Sequence, residues 1–427
     1  MFERGKFFSV GLWVVVLASA PAAAFAASEP STAELARRVE QLESLVERLT
    51  ARLAELEGAA PAAVPTAAEA KPAVIASDRT IGGEEARLLP SRSVAGGSYG
   101  LAKAGVSTHG FINLEYLDSG DDGARGGVSH FDLHHANVFF GARLRDNLAA
   151  HLEIEYEHAG DVVEIDQAYV SWQVNEGLSV EAGRFYTPFG IERFTWYAPT
   201  NELVSRPPAF RDIVPGNFYA TGLRASGVFD GADGQPQVTY EVAVTDGLGA
   251  SAVTDPRGAR QTRDNNSSRA LSGRVSYVGY PWWEAGVSYH TQTYDNASQL
   301  GLDFLGVDFS GRYRGFELRG EWLESVAERR SAGALAPDLE KEGWYGQLAY
   351  RFDFERDFFP SLSLVTRYDD VDLDRSRVGN DDRTFWSVGL NAALYEHFRV
   401  KLEYQFADEK GAARDNDTLL GQVVVDF

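Results

Sequence analysis

The 427-residue chain carries 40 Lys and Arg against 62 Asp and Glu, giving a formal net charge of −22, and it has no cysteine. The acidic balance argues against nucleic-acid binding, which needs a basic surface. Zero cysteine excludes disulfide frameworks, thiolate metal sites and thiol catalysis. A mean hydropathy of −0.25 excludes a bundle of transmembrane helices. It does not exclude a transmembrane β-barrel, because alternating apolar residues disappear in such an average.

Residues 1–26 have the composition of a secretory signal peptide. Arg4 and Lys6 precede an apolar run at 10–17, and Ala24-Phe25-Ala26 is a small-residue cleavage site. The alternative, an N-terminal membrane anchor, is disfavoured because the apolar run is too short to span a bilayer. The sequence therefore predicts an exported protein.

Residues 31–57 form the clearest helical pattern in the chain. Ser31 and Glu34 make a capping box, and Gly58 is a stop signal. Apolar residues repeat with alternating steps of four and three, which is the a/d seam of a coiled coil. We expect this seam to drive trimerisation through Leu35, Val39, Leu42, Val46, Leu49, Leu53 and Leu56. The alternative is an amphipathic helix that packs on its own chain.

Residues 58–107 are rich in Ala, Pro and Gly. Such a composition cannot bury a core, so the segment is predicted to be an extended linker. The sequence leaves open whether part of this linker acts as a plug inside the structure formed by residues 108–427.

Residues 108–427 alternate apolar and polar side chains in runs of about ten residues, the pattern of an outer-membrane β-barrel. We count 16 strands, which predicts an all-β fold, a 16-stranded antiparallel transmembrane barrel. Every proline after 108 is assigned to a turn or loop, as central strands require. The longer loops are predicted at 118–130, 157–161, 188–217, 246–268, 294–300, 325–342, 369–383 and 407–417. The alternative is a soluble β-sandwich or propeller with one wet face.

The loop at 188–217 is long and rich in proline and aromatic residues. A barrel of this size leaves an aqueous lumen, and long loops without regular structure are usually functional. We expect the loop to narrow the pore, or alternatively to lie over the rim or contact a neighbouring subunit. Its charged residues are the constriction candidates: Glu192, Arg193, Glu202, Arg206, Arg211 and Asp212.

Charged residues recur on the strand faces predicted to point inward. Arginine suits the transfer of an oxyanion along a wall, because its fork binds carboxylate or phosphate at two points. The alternative is that these arginines pair with glutamates across strands. The lumen-wall candidates are Arg143, Arg145, Glu153, Glu155, Arg224, Arg274, Arg319, Arg351, Arg399 and Lys401.

Residues 183–192, Gly-Arg-Phe-Tyr-Thr-Pro-Phe-Gly-Ile-Glu, resemble the G-x-F-x-x-P-F-G-x-E stretch of the phosphate-selective porin O and P family. Residues 166–170 and 214–217 are also similar to that family. The resemblance implies a trimeric 16-stranded outer-membrane channel for anions, such as phosphate or small organic acids, or for other small metabolites. Phosphate selectivity in the family rests on arginines and a lysine cluster. Here Lys401 is the clear inward-facing lysine, and the 188–217 loop contains none, so this chain departs from the family at that point.

No metal, cofactor or catalytic site is predicted. His134 and His135 are adjacent on a strand, so we expect them to face opposite sides and not to share a metal. Asp369, Asp370, Asp372 and Asp374 are interpreted as solvated loop charge without the spacing of an EF-hand. The predicted function is passive diffusion of small hydrophilic solutes. The alternatives are a structural tether or a barrel enzyme.

The predicted location is the Gram-negative outer membrane. The coiled coil would lie in the periplasm, because an even number of strands brings both barrel termini to the short-turn side. Membrane lipid, lipopolysaccharide and two further copies of the chain are the predicted partners.

Overall fold

The computed structural model describes residues 106–120, 127–175, 177–229, 237–279, 283–331, 334–375, 382–409, 414 and 416–427. The predicted signal peptide at 1–26 and coiled coil at 31–57 lie outside the described residues. So does the predicted linker, except for 106–107, which already belong to the first strand.

Sixteen antiparallel strands close into one barrel, which confirms the predicted fold class and strand number. Each strand pairs with the next along the chain, and β16 pairs with β1. The strands are β1 Val106–Ser119, β2 His130–Arg145, β3 Leu148–Glu157, β4 Val162–Asn175, β5 Leu178–Tyr186, β6 Tyr219–Phe229, β7 Gln237–Thr245, β8 Ala270–Gly279, β9 Trp283–Thr293, β10 Gly301–Tyr313, β11 Phe316–Ser331, β12 Ala334–Asp353, β13 Ser361–Asp372, β14 Asp382–Ala393, β15 Phe398–Glu409 and β16 Thr418–Asp426.

The period of two in the sequence separates an apolar outer face from a polar inner face. In β1, Ile112 and Leu114 are 43% and 41% exposed, whereas Asn113 between them is fully buried. The outward residues suit hydrocarbon, because a charge on the lipid face costs about 2–4 kcal/mol at the bilayer midplane. The inward residues therefore line or fill the lumen.

The two ends of the barrel differ in their connections. One end has turns of two to seven residues, and both termini of the barrel lie there. The opposite end, called here the long-loop end, carries the connections 187–218 and 246–269. The first of these contains two short helices, α1 Glu192–Thr195 and α2 Pro208–Ile213. Among the described residues, no helix has the length and apolar character needed to cross a membrane.

Two loop predictions are corrected by the strand bounds. Residues 325–331 and 334–342 continue β11 and β12 as a paired hairpin, although the sequence suggested a loop. Their charged residues blur the period of two, which hides the strands in the sequence. Pro337 thus lies within a strand, but at an irregularity where the register shifts between Ala327 and Arg329. Strand pairing is interrupted at such a bulge, so no ladder hydrogen bond is required from the proline nitrogen, which cannot donate one. Asp369–Asp372 likewise belong to β13 and not to a loop.

An apolar core lies inside the barrel at the long-loop end. The two long loops pack their apolar side chains against the inner faces of β10, β11 and β13. The members are Phe189, Ala209, Phe210, Ile213, Val214, Phe218, Leu248, Ala252, Ala259, Tyr294, Leu300, Leu302, Phe304, Leu323, Ala327 and Val371. Burial of this surface favours an inward position for both loops, at about 25 cal/mol per Å² of apolar surface removed from water.

Candidate functional site

The first turn of the 188–217 loop lies against the inner wall. Gly190 adopts a positive φ of 64°, and a Cβ there would lie 2.4 Å from Glu321 Oε1 on β11. The Gly190 N–H donates to Ser288 Oγ at 3.0 Å, and the Ile191 N–H donates to Glu321 Oε1 at 2.6 Å. Glycine is needed here for both the backbone conformation and the close approach.

The predicted constriction residues Glu192 and Arg193 are buried and paired with the wall. Glu192 Oε1 accepts a hydrogen bond from the Tyr345 hydroxyl at 2.7 Å. Arg193 binds both carboxylate oxygens of Glu241 on β7. Two-point pairing of this kind is strong and directional. These two residues therefore anchor the loop on opposite sides of α1 and are not open to a passing solute.

The middle of the loop is held by aromatic contacts and one buried carboxylate. Trp196 and Tyr197 stack with ring centroids 4.3 Å apart. Tyr197 meets Phe111 and Phe139 edge-on at 5.9 and 5.7 Å. Its hydroxyl donates to Glu153 Oε2 at 2.9 Å. The predicted wall residue Glu153 is therefore a partner of the loop.

Lys401, predicted as a wall cation, binds the backbone of the loop. Its ammonium donates to the carbonyl oxygens of Ala198 and Asn201 at 2.6 Å each and of Leu203 at 3.3 Å. Beside it, Glu403 accepts hydrogen bonds from the Val204 and Ser205 N–H groups. All three donors of the ammonium have partners, so β15 fixes residues 198–205 against the wall.

The remaining charged residues of the loop are less buried. Glu202 accepts from Asn391 Nδ2 at 3.0 Å, and Arg211 pairs with Asp212 at 2.9 Å. Arg206 is half-buried and donates from Nη1 to Asn217 Oδ1 at 2.6 Å.

Arg206 is a loop cation with two buried donors that are unused. Its guanidinium carbon lies 4.6 Å from the centre of the Trp196 ring. Arg206 Nε and Nη2 have no hydrogen-bond partner among the described residues. Burial lowers the pKa of Arg206, while Glu192 opposes that change, and an arginine stays charged at neutral pH.

The wall arginines fall into two groups. Arg224 pairs with Glu181, Arg274 with Asp308 and Glu284, and Arg319 donates to Asn201 Oδ1 at 2.8 Å. This geometry corresponds to the alternative that wall arginines pair with neighbours and is not that of free cations. At the short-turn end the exposed wall candidates are Arg143, Arg145 and Arg351, and Arg399 is half-buried.

The contribution of the 246–269 connection was missed in the sequence. Arg257 binds both carboxylate oxygens of Glu157 on β3, at 2.7 and 2.8 Å. Lys341 on β12 donates to the Val253 carbonyl at 3.0 Å. This connection thus reaches from β3 to β12 at the long-loop end. No local pattern could reveal contacts between residues about a hundred positions apart.

Two family models match the barrel. Residues 131–309 match a family described as putative β-barrel porin-2, OmpL-like, and residues 304–425 match phosphate-selective porin O and P. The second match confirms the resemblance to that family. However, residues 183–192, which suggested it, lie within the first match.

Solved structures share the fold at low sequence identity. An anion-selective porin from Comamonas acidovorans has 15% identity and a TM-score of 0.54, covering 75% of this chain and 99% of that one. OmpF of Salmonella typhi, solved in complex with daunomycin, has 12% identity and a TM-score of 0.53, covering 76% and 99%. A trimer form of OmpT from Vibrio cholerae has 10% identity and a TM-score of 0.51, covering 75% and 99%.

A relative by sequence is an uncharacterized protein of Aquifex aeolicus (strain VF5). It is 23% identical over 357 residues, covering 74% of this chain and 78% of the relative. The closed 16-stranded barrel and the two porin matches define the chain as an outer-membrane porin. Within that class, its C-terminal part, 304–425, carries the similarity to the phosphate-selective porin O and P family.

Proposed function

We propose that the chain is a homotrimeric diffusion channel of the Gram-negative outer membrane, in which the 188–217 loop forms the constriction of each lumen. The observation that carries this proposal is the ring of loop-to-wall contacts. The loop binds Glu153 on β3, Glu241 on β7, Tyr345 on β12 and Lys401 on β15. A segment tied to strands around the whole barrel lies across the lumen and reduces its cross-section. Small hydrophilic solutes then pass beside it.

We also propose that anions are the preferred solutes. Arg206 carries two buried N–H donors without partners among the described residues, on the loop that narrows the lumen. Arg206 donates to the neutral amide of Asn217 and forms no ion pair with a described residue. Its positive charge therefore attracts anions to the narrowed lumen and repels cations. Selectivity in a pore follows the charges at its narrowest point.

The proposal is tested by recording single channels in planar bilayers. Wild-type protein should give discrete conductance steps and an anion-directed reversal potential in a salt gradient. Arg206→Ala should move that potential towards cations, and Arg211→Ala should change the conductance. Arg356→Ala removes the same charge from the short-turn end and should leave both unchanged. Absence of steps would overturn the channel, and equal shifts in Arg206→Ala and Arg356→Ala would overturn the role of the loop.

The trimer rests on the a/d seam at 31–57 together with the trimer form recorded for the OmpT structure. Outward Leu and Val residues on the barrel meet lipid or a neighbouring copy equally well, so the predicted helix is the element whose sequence has a specific association pattern. Deleting 31–57 should convert trimers into monomers on native gels, with the heat-modifiable barrel band retained. An unchanged trimer would limit the helix to a spacer.

A further inference from the structure

A β-bulge in β2 brings two adjacent histidines together. The register of β1 on β2 pairs Asn113 with His135 and then Leu114 with Leu133, so His134 is the extra residue. The imidazole rings of His134 and His135 lie 4.0 Å apart. The expectation that adjacent strand residues must face opposite sides is wrong here, because a bulge interrupts the alternation of side chains.

A carboxylate completes a three-residue group with these imidazoles. Glu115 Oε1 on β1 lies 2.8 Å from His134 Nδ1. One nitrogen or oxygen each of Glu115, His134 and His135 lies within 4.8 Å of the other two. Two imidazoles and one carboxylate are a ligand set that suits divalent transition metals.

Glu155 on β3 supplies an independent observation. Its Oε1 lies 3.3 Å from His135 Nε2, and the side chain is 1% exposed. This oxygen has no hydrogen-bond partner among the residues that the structure describes. A buried carboxylate oxygen without a donor is costly, and a nearby cation lowers that cost by stabilising the negative charge.

Glu155 and Glu157 add negative charge beside the three-residue group without belonging to it. Glu157 lies on the other side of His135 Nε2 at 3.5 Å, but Arg257 already binds both of its oxygens. Asp132 and His158 extend the cluster, with His158 Nδ1 at 2.6 Å from Asp132 Oδ2. The His134 side chain is 29% exposed, so an ion can reach it.

We propose that His134, His135 and Glu115 bind one divalent transition-metal ion of the zinc class on the inner wall at the long-loop end. The ion offsets the excess of carboxylates around the two imidazoles, because Glu155 and Glu157 lie 3.3 and 3.5 Å from His135 Nε2. It also adds positive charge to the wall beside the 188–217 loop, because Trp196 of that loop lies edge-on to His135 at 5.7 Å.

Calorimetric titration of the full-length protein in detergent with Zn²⁺ tests the site. Wild type should show one saturable site. His134→Asn with His135→Asn removes two ligands and should weaken binding by more than the about 10–100-fold that loss of an outer-shell partner costs. His397→Asn is the matched control, since His397 pairs with one carboxylate, Asp426, at 3.0 Å and has no second imidazole in that pair. It should leave the affinity unchanged. No saturable site in wild type, or equal losses in the double variant and the control, would overturn the proposal.

A second measurement covers the case in which the double variant does not fold. Electron paramagnetic resonance of bound Cu²⁺ should show hyperfine coupling to two nitrogens in wild type and to one in His135→Asn. Glu115→Gln keeps the side-chain shape and should weaken Zn²⁺ binding while the barrel remains heat-modifiable. A wild-type spectrum without nitrogen coupling, or an unaltered spectrum in His135→Asn, would contradict the assignment. Neither assay requires conductance, so failure of the metal site and failure of the porin proposal are distinguishable.

Discussion

Lys401→Met should release the 188–217 loop from β15. The change keeps the length of the side chain and removes the ammonium, whose three donors bind the carbonyl oxygens of Ala198, Asn201 and Leu203. Lys401 is 2% exposed, so water does not take its place without local opening. The loop contacts of Glu403 remain in the variant and hold the following residues.

The magnitude follows from the three carbonyl groups. A buried acceptor left without a donor costs about 1–3 kcal/mol. Part of this cost is offset, because the free energy needed to desolvate the Lys401 ammonium is no longer required in the variant. We expect a net loss of about 2–4 kcal/mol in the free energy that holds residues 198–205. At about 1.4 kcal/mol per tenfold change, the detached loop becomes roughly 30- to 700-fold more populated.

Hydrogen exchange read by mass spectrometry on peptides covering 198–205 measures this population. Exchange should accelerate by that factor in Lys401→Met, and single-channel current should become noisier. Lys341→Met is the matched control, because its ammonium binds the Val253 carbonyl of the other long connection. It should accelerate exchange near 253 and not at 198–205. Unchanged exchange at 198–205 in Lys401→Met would refute the reasoning that β15 holds the loop.

Two further predictions concern charges elsewhere. Arg193→Gln leaves the carboxylate of Glu241 without its two-point partner and should destabilise the barrel by about 3–5 kcal/mol, as breaking a buried pair does; a heat-modifiability midpoint equal to wild type would contradict it. In the connection 294–300, burial raises the pKa of Asp295, but N–H groups of Leu300, Gln299 and Ala297 lower it below the ordinary 3.8 overall. The stabilisation is therefore present above pH 3.8 and lost as pH falls through the lower folded-state pKa. Amide exchange at 297–300 in wild type should accelerate as the pH falls through this pKa. Asp295→Asn should show no acceleration over the same pH range.

The number of strands and the orientation of their faces follow from local patterns. Lipid outside and water or polar groups inside impose the period of two on each strand. The alternation of apolar and polar residues, as in Ile112 and Leu114 around Asn113, can therefore be recognised in the sequence of a single strand. This constraint disappears where strands extend past the membrane. The examples are the end of β11, up to 331, and the beginning of β12, from 334. Residues 325–342 consequently have no clear period and looked like a loop.

The composition of the 188–217 loop marked it as unusual, but the role of each charged residue depended on distant strands. Glu192 and Arg193 are buried anchors because Tyr345 and Glu241 lie opposite them. Lys401 binds a backbone about 200 positions away. Pairing between residues so far apart is set by barrel closure, and the sequence near each residue contains no trace of it.

The sequence by itself determined the barrel, its strand count and which faces meet lipid, because the bilayer acts on every strand in the same way. Tertiary structure alone decided which inward charges are neutralised and where the two long loops lie. It also decided that His134 and His135 meet, since one extra residue against β1 overrides the alternation of side chains. Net charge therefore excluded nucleic acid as a partner, whereas the pairing of individual charges governs which solute passes.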